Sequence, residues 1–354
     1  MKRLRIGIVF DSGEFSCKSS YDSISDKGVM EEVAAVKKSL ENLGYMAILI
    51  PIGRGISKKY VKKIQSEAIR KKVISKLRSE LRKAKTDLVF NLCETFFGDP
   101  KLQSIIPRIL DEMKIPYTGS PWHSIEMTTD KSLTKKVLEE RGIPTPRFKI
   151  FFPGDEISAF GLRFPLIVKP NFEDGSVGIE KDSVVYGQEE LVKKVLEVMK
   201  KYDQPVLVEE YIDGRELNVA VFINNGSSEV LPISEIVFNY PDDVPKITSY
   251  SAKWIENSEE YKKSVGICPC ELPIELEEKI KMIASECVKA SGCRDYARVD
   301  IRLDRNNQPY VIEVNANPDI SPKAGFMRSF LASGRSYEDF VRGLVKFTLQ
   351  RKSN

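Results

Sequence analysis

The sequence predicts an α/β protein whose C-terminal part becomes α+β, and three observations carry that prediction. Over the first 120 residues, short apolar runs alternate with helix-patterned stretches, the pattern of a parallel sheet flanked by helices. Beyond residue 213 the strand candidates alternate apolar and polar side chains and are joined by long loops, which suggests a largely antiparallel sheet with helices packed on it. No internal repeat or low-complexity tract interrupts the 354 residues, a length that accommodates two or three domains.

In order, strands are expected at 5–10 (RIGIVF), 46–51 (MAILIP), 87–92 (DLVFNL) and 115–120 (IPYTGS), with helices over 29–43 and 101–113. The next helix starts near Thr129 and stops at Gly142, with Pro144 and Pro146 marking a linker. A strand FPLIVKP, a loop NFEDGSVGIE, a helix over 188–202 and a strand VLVEEYI follow. The remainder holds the strands ELNVAVFI, YARVDIRLD and PYVIEVNA and helices near 273–290 and 337–350. Three domains are expected: 1–122, parallel α/β; 123–208, central; and 209–354, C-terminal.

Composition narrows the chemistry. A single histidine, His123, excludes His-rich metal sites, so catalysis must run on carboxylates, amides, lysines and arginines. The six cysteines are scattered; only Cys268 and Cys270 lie close, and buried free thiols are expected rather than a zinc site. The opening MKRLRIGIVF reads as a first strand rather than a signal peptide, and no stretch approaches bilayer-spanning length, so a cytoplasmic location is expected, with no membrane partner. Twelve basic and two acidic residues fall between Lys58 and Lys85. Val61, Ile64, Ala68, Ile74, Leu77, Leu81 and Ala84 recur there at helical spacing, so the segment reads as a helical one with a packed stripe and a solvated basic face. Tyr60 is its single aromatic, too few to be interleaved for base stacking, and no nucleic-acid partner is expected.

The chemistry-bearing stretch is YVIEVNANPD. Strand alternation puts Ile312 and Val314 on one face and Glu313, Asn315 and Asn317 on the other. In YARVDIRLD, Ala297, Val299, Ile301 and Leu303 share one face, and Arg298, Asp300, Arg302 and Asp304 the other. If the turn RNNQ joins the two strands, Asp300 faces Glu313 and Asn315. Two carboxylates and an amide oxygen suit an octahedral cation that keeps phosphate oxygens among its ligands, as magnesium does beside a nucleotide. Upstream, Lys169 ends an apolar strand, and Gly175 and Gly178 let backbone amides approach anionic oxygens. That loop is neither a P-loop nor a G-x-G-x-x-G turn. In LVEEYIDGRE, Glu209 and Tyr211 could offer backbone groups to a base edge, and Glu216 could accept from a ribose hydroxyl.

Together, in this order and spacing, FNLCETFFGDP, IPYTGS, TTDKSLTKKVLEERGIPTP, PLIVKPNFEDGSVGI, VLVEEYIDGRELNVAV, YSAKW, ARVDIRLD and VIEVNANPDISP resemble the ATP-grasp superfamily, and within it the D-alanine-D-alanine ligase-like branch. The resemblance covers most of the chain beyond residue 86. It implies three domains with ATP held between the central and C-terminal sheets. It implies Lys131 and Lys169 on phosphates, with Lys169 also catalytic, beside a cradle of Gly175, Ser176 and Gly178. Glu209, Glu210, Tyr211 and Ile212 would meet the adenine edge, Glu216 the ribose, and Leu303 the nucleotide. Asp300, Glu313 and Asn315 would hold two Mg²⁺ ions, or Mn²⁺ in the same donor set, and Arg298 would face a developing oxyanion. The reaction implied joins a carboxylate to an amine through an acyl phosphate, with amino-acid or short-peptide substrates. A homodimer is compatible with it.

The departures fall on the substrate side. The family's histidine-glycine motif is replaced by NLCETFFGDP, its serine by Gly175, its tyrosine by Trp254, and its serine-histidine segment by NPDISPKAGFM, which puts Asp319 and Lys323 near the second substrate. FDSGEFS retains a glycine and Glu14. A different substrate is therefore expected. A kinase acting on a non-carboxylate acceptor and a non-catalytic nucleotide-binding module are the alternatives.

Overall fold

The computed structural model describes residues 3–11, 22–52, 66–224, 226–241 and 243–352. Glu14, Cys17, Val61 and Ile64 lie outside the described residues. Three sheets follow one another along the chain. The first is parallel, ordered β2-β1-β3, from β1 (Arg5–Asp11), β2 (Met46–Ile52) and β3 (Leu88–Asn91). Helices α1 (Asp22–Asn42), α2 (Glu67–Ala84) and α3 (Ile105–Glu112) accompany it. In α2 the packed stripe is Val73, Leu77 and Leu81, spaced four apart, while Ala68 is exposed. The expected strand at 115–120 shrinks to one parallel bridge, Val89 to Tyr117. Pro116 has no N–H to extend a ladder, and Gly119 turns away at φ +90°.

Helices α4 (Trp122–Thr129) and α5 (Lys131–Glu140) lead to the second sheet, an antiparallel β4-β7-β5-β6. Its strands are β4 (Phe148–Phe151), β5 (Leu166–Pro170), β6 (Val184–Val185) and β7 (Val206–Glu210). α6 (Gln188–Tyr202) lays Leu191, Val195 and Val198 into the core beneath them.

The third sheet is wholly antiparallel and runs β11-β10-β8-β12-β13, with β9 also on β8. Its strands are β8 (Arg215–Asn224), β9 (Ser227–Val230), β10 (Ser234–Phe238), β11 (Ser264–Ile267), β12 (Tyr296–Leu303) and β13 (Pro309–Asn315). Short helices α7 (Tyr250–Trp254) and α8 (Glu259–Lys263) precede β11. α9 (Ile274–Ala290) presents Leu276, Ile280, Ile283 and Cys287 to one face of the sheet. On the other side, α10 (Gly325–Ala332) and α11 (Tyr337–Lys352) carry Phe326, Phe330 and Phe340 into a core shared with Ile6, Ile8 and Phe90 of the first sheet. The first and third units are thus packed around one hydrophobic core. The strands β9 to β11 and helix α10 were not expected from the sequence.

Candidate active site

Antiparallel pairing of β12 with β13 sets Asp300 opposite Glu313 and Arg298 opposite Asn315, as the alternation predicts. The pairing then shifts: Ile301 lies opposite Val311, leaving Ile312 as the extra residue of a bulge. This corrects the expected faces. Val311 and Val314 enter the core, while Ile312 and Glu313 both line a cleft of about 960 Å³. Leu303, expected at the nucleotide, is fully buried with Val299 and Ile301 in the core behind the sheet. Ile312 provides apolar surface in the cleft where Leu303 does not. Asn317, expected beside Glu313, instead accepts from Tyr296 Oη at 2.9 Å and donates to Cys93 O at 3.1 Å, tying the third sheet to the first unit.

The cleft lies between the second and third sheets and gathers most of the expected residues. Lys131 and Lys169 line it, as do Glu209, Glu210, Tyr211, Ile212 and Glu216. Gly175, Ser176, Trp254, Asp319 and Lys323 also line it, with Arg298, Asp300 and Glu313. Lys131, at the start of α5, reaches Glu313 Oε1 at 2.6 Å and Asp174 Oδ1 at 3.2 Å. Burial alone would raise the Glu313 pKa, but Lys131, Lys169 and Arg298 hold it down at about 2. Glu209 is buried between two lysines, bonding Lys169 Nζ and lying 2.6 Å from Lys135 Nζ. Burial, with Lys169 nearby, brings Lys135 down to about 8 despite the Glu209 charge. Its ammonium also donates to Thr145 Oγ1 at 2.7 Å, and Thr145 Oγ1 donates to Val311 O at 2.8 Å.

Two of the expected residues already have partners within the protein. Tyr211 N–H is already taken by Pro165 O at 2.9 Å. Arg298, in the wall of the cleft, already has a partner: Nε and Nη2 grip Asp300 at 2.7 and 2.8 Å, and Asn218 Nδ2 donates to the same carboxylate at 2.9 Å. Glu216 is oriented by Arg302 Nη1 at 2.9 Å and Thr248 Oγ1 at 2.6 Å. In the loop after β5, Gly175, Ser176 and Gly178 all have positive φ. Gly178 does not reach the cleft; a Cβ there would fall 2.5 Å from Pro170 Cγ, so its glycine permits the loop to fold back on its own strand.

Sequence reasoning missed Ile312, Lys253 and Glu94. Lys253 lines the cleft beside Trp254 and was legible in YSAKW. Glu94 lies within NLCETFFGDP, the stretch expected to replace the family's histidine-glycine motif. Burial first, then the neighbouring Asp319, raises its pKa to about 8 against the pull of Lys253 and Arg298. The five described cysteines are free, and among the described residues no group of three or more His, Cys, Asp or Glu is placed to hold a metal. Of the three residues expected at a metal, Asp300 and Glu313 line the cleft, whereas Asn315, opposite Arg298 on the neighbouring strand, is absent from its lining.

Two antiparallel sheets closing on a cleft, lysines on one jaw and carboxylates on the other, define an ATP-grasp protein. Residues 137–346 match the family model "D-ala D-ala ligase C-terminus". The chain is 34% identical over 283 residues to D-alanine--D-alanine ligase of Carboxydothermus hydrogenoformans, covering 76% of this chain and 84% of that protein. It is 36% identical over 264 residues to the uncharacterised protein y4sG of Sinorhizobium fredii, covering 75% of each. The ATP complex of D-alanine--D-alanine ligase from Bacillus anthracis superposes with a TM-score of 0.72 at 24% identity, over 100% of this chain and 99% of that one. The chain belongs to the D-alanine-D-alanine ligase family.

Proposed function

We propose that this protein is an ATP-dependent, ADP-forming ligase that joins a carboxylate to an amine, with amino-acid or short-peptide substrates other than a pair of D-alanines. The observation that carries the reading is Asp300 opposite Glu313 on one jaw, facing Lys131 and Lys169 on the other. Hard oxygen donors on adjacent strands fit Mg²⁺, and Glu313 with its pKa at about 2 stays ionised across the working pH range. ATP would supply the phosphoryl group and Mg²⁺ charge neutralisation at Asp300, Glu313 and Asn315.

Lys131 and Lys169 would exchange their present carboxylates for phosphate oxygens. Glu216, preset by Arg302 and Thr248, would accept from the ribose, and Ile167 and Ile312 would cover the base. Arg298 would turn from Asp300 toward the oxyanion formed when the amine attacks the acyl carbon. Glu94 and Trp254 support a changed substrate: a protonated carboxyl and an indole whose N–H is taken by the Gly175 carbonyl replace groups that would hold a small zwitterion.

Trapping distinguishes the readings. With ATP, Mg²⁺ and a panel of L- and D-amino acids, hydroxylamine should yield a hydroxamate from an acyl phosphate. A phosphorylated alcohol would mark a kinase, and no phosphate release a binding module. Rapid, saturable D-alanyl-D-alanine formation at submillimolar D-alanine would overturn the changed substrate. The free thiols support a reducing, cytoplasmic setting. Among the described residues no helix is long and apolar enough to cross a membrane.

A further inference from the structure

Arg328 has no part in the chemistry above. It lies in the first turn of α10, lines the cleft, and donates Nη1 to Ser234 Oγ at 2.9 Å. The cleft's two other arginines each grip a carboxylate, Arg298 on Asp300 and Arg302 on Glu216. Among the described residues no carboxylate pairs with Arg328. Burial and the nearby Arg298 push its pKa below the usual value, so an anion placed there would relieve both penalties.

Room is made for the guanidinium by Gly266 on β11, where a Cβ would collide with it. Small residues open the path from there to the carboxylates of β12 and β13: Ser321, Ala324 and Gly325 all line the cleft. Gly325 packs on Asn218, the residue that donates to Asp300. Arg328 stands three residues further along the helix, roughly 4.5 Å in axial rise. A small molecule with a carboxylate on Arg328 can therefore direct its other end toward Asp300. The N-cap of α10 is Ala324, which offers no side-chain cap, so the helix N-terminus adds positive potential to the same wall.

Resting on the ligase reading, we propose that Arg328 anchors the carboxylate of the amine substrate. The acceptor is then an amino acid or peptide with a free carboxylate, and neutral amines and carboxamides are poor acceptors. Arginine meets a carboxylate with two parallel N–H donors, which fixes the acceptor's direction as well as its charge. Its nitrogen attacks the acyl carbon, the C–O bond to phosphate breaks with its electron pair leaving on phosphate, and the nitrogen's proton passes to solvent. Arg328 is a specificity residue and takes no part in acyl phosphate formation.

The test compares wild type with Arg328→Met and Arg328→Lys, using ATP, Mg²⁺ and the L- and D-amino-acid panel in pairs. Each acceptor is supplied as free acid and as carboxamide, and hydroxylamine replaces it in a parallel arm. Expected for Arg328→Met is an acceptor KM raised by about tenfold or more, the scale of a lost charged hydrogen bond. Hydroxamate formation and carboxamide use should stay within about twofold of wild type, and Arg328→Lys should recover part of the loss. An unchanged acceptor KM overturns the proposal. So does a parallel loss in the hydroxylamine arm, which would assign Arg328 a structural role. A wild-type protein forming neither hydroxamate nor phosphate defeats the ligase reading itself, and this proposal with it.

Discussion

The indole nitrogen of Trp254 donates to the Gly175 carbonyl at 2.8 Å, fastening α7 to the loop that follows β5. The same ring lies against Gly28 of α1, where an added Cβ would come within 3.3 Å of it. One side chain thus touches the first unit, the glycine loop and the third unit at the rim of the cleft.

Trp254→Phe should keep most of the packing and lose the donor. The bond contributes about 1 kcal/mol, so kcat/KM is expected to fall roughly fivefold with the melting temperature little changed. Trp122 is the only other tryptophan. Nucleotide-induced fluorescence change should therefore be largest in wild type and mostly absent in the variant.

Glu313→Gln should reduce turnover by at least about a hundredfold, the scale for losing a charge-stabilising group in a preorganised site. The fold should persist, because volume is conserved and Lys131 keeps Asp174 as a partner. Asp300→Asn should behave alike. Wild-type turnover in either variant, measured by phosphate release, would remove the metal assignment.

Lys169→Ala should weaken ATP binding more than it lowers stability, since Lys135 remains to neutralise Glu209. Titration with ATP and a melting curve separate the two effects. Unchanged affinity would argue against a phosphate contact, and a collapse in melting temperature would make the lysine structural.

Stability should respond to pH through Glu94. Its folded pKa, about 8, exceeds the ordinary 4.5, so the folded state binds the extra proton. Its contribution is full below about pH 4.5 and disappears as pH rises through 8. Glu94→Gln should flatten the fall in melting temperature between pH 5 and 8. Glu313 has the opposite sign, contributing above 4.5 and losing that contribution as pH falls toward 2, so its window does not overlap.

Much of the candidate site was legible because strand alternation and a short turn left Asp300 one place to go, opposite Glu313. Ile312 was not, because a bulge has no signature in a run such as YVIEV, and one extra residue moves a side chain to the other face. Leu303 misled because the family resemblance implied a nucleotide contact, whereas strand alternation already set it with Val299 and Ile301 on the face that became the core. Tyr211 and Arg298 were misjudged in their partners, Pro165 and Asp300, which only tertiary contact reveals. The helix expected at about 188–202 is present as Gln188–Tyr202, since its apolar spacing and flanking turns agree. Strands β9 to β11 lacked any comparable pattern.

A thread of polar contacts runs from Glu209 through Lys135 and Thr145 to the Val311 carbonyl, and Val311 N–H in turn donates to Pro144 O at 2.8 Å. Pro144 and Thr145 belong to the linker ahead of the second sheet, and Val311 immediately precedes the bulge that turns Ile312 and Glu313 into the cleft. The linker into the second sheet is therefore tethered to the strand of the third sheet that carries Glu313. A displacement of that linker would pass directly to the strand carrying Glu313, so the two walls of the cleft are mechanically coupled through it. Thr145, absent from the cleft lining, makes the side-chain link between the two.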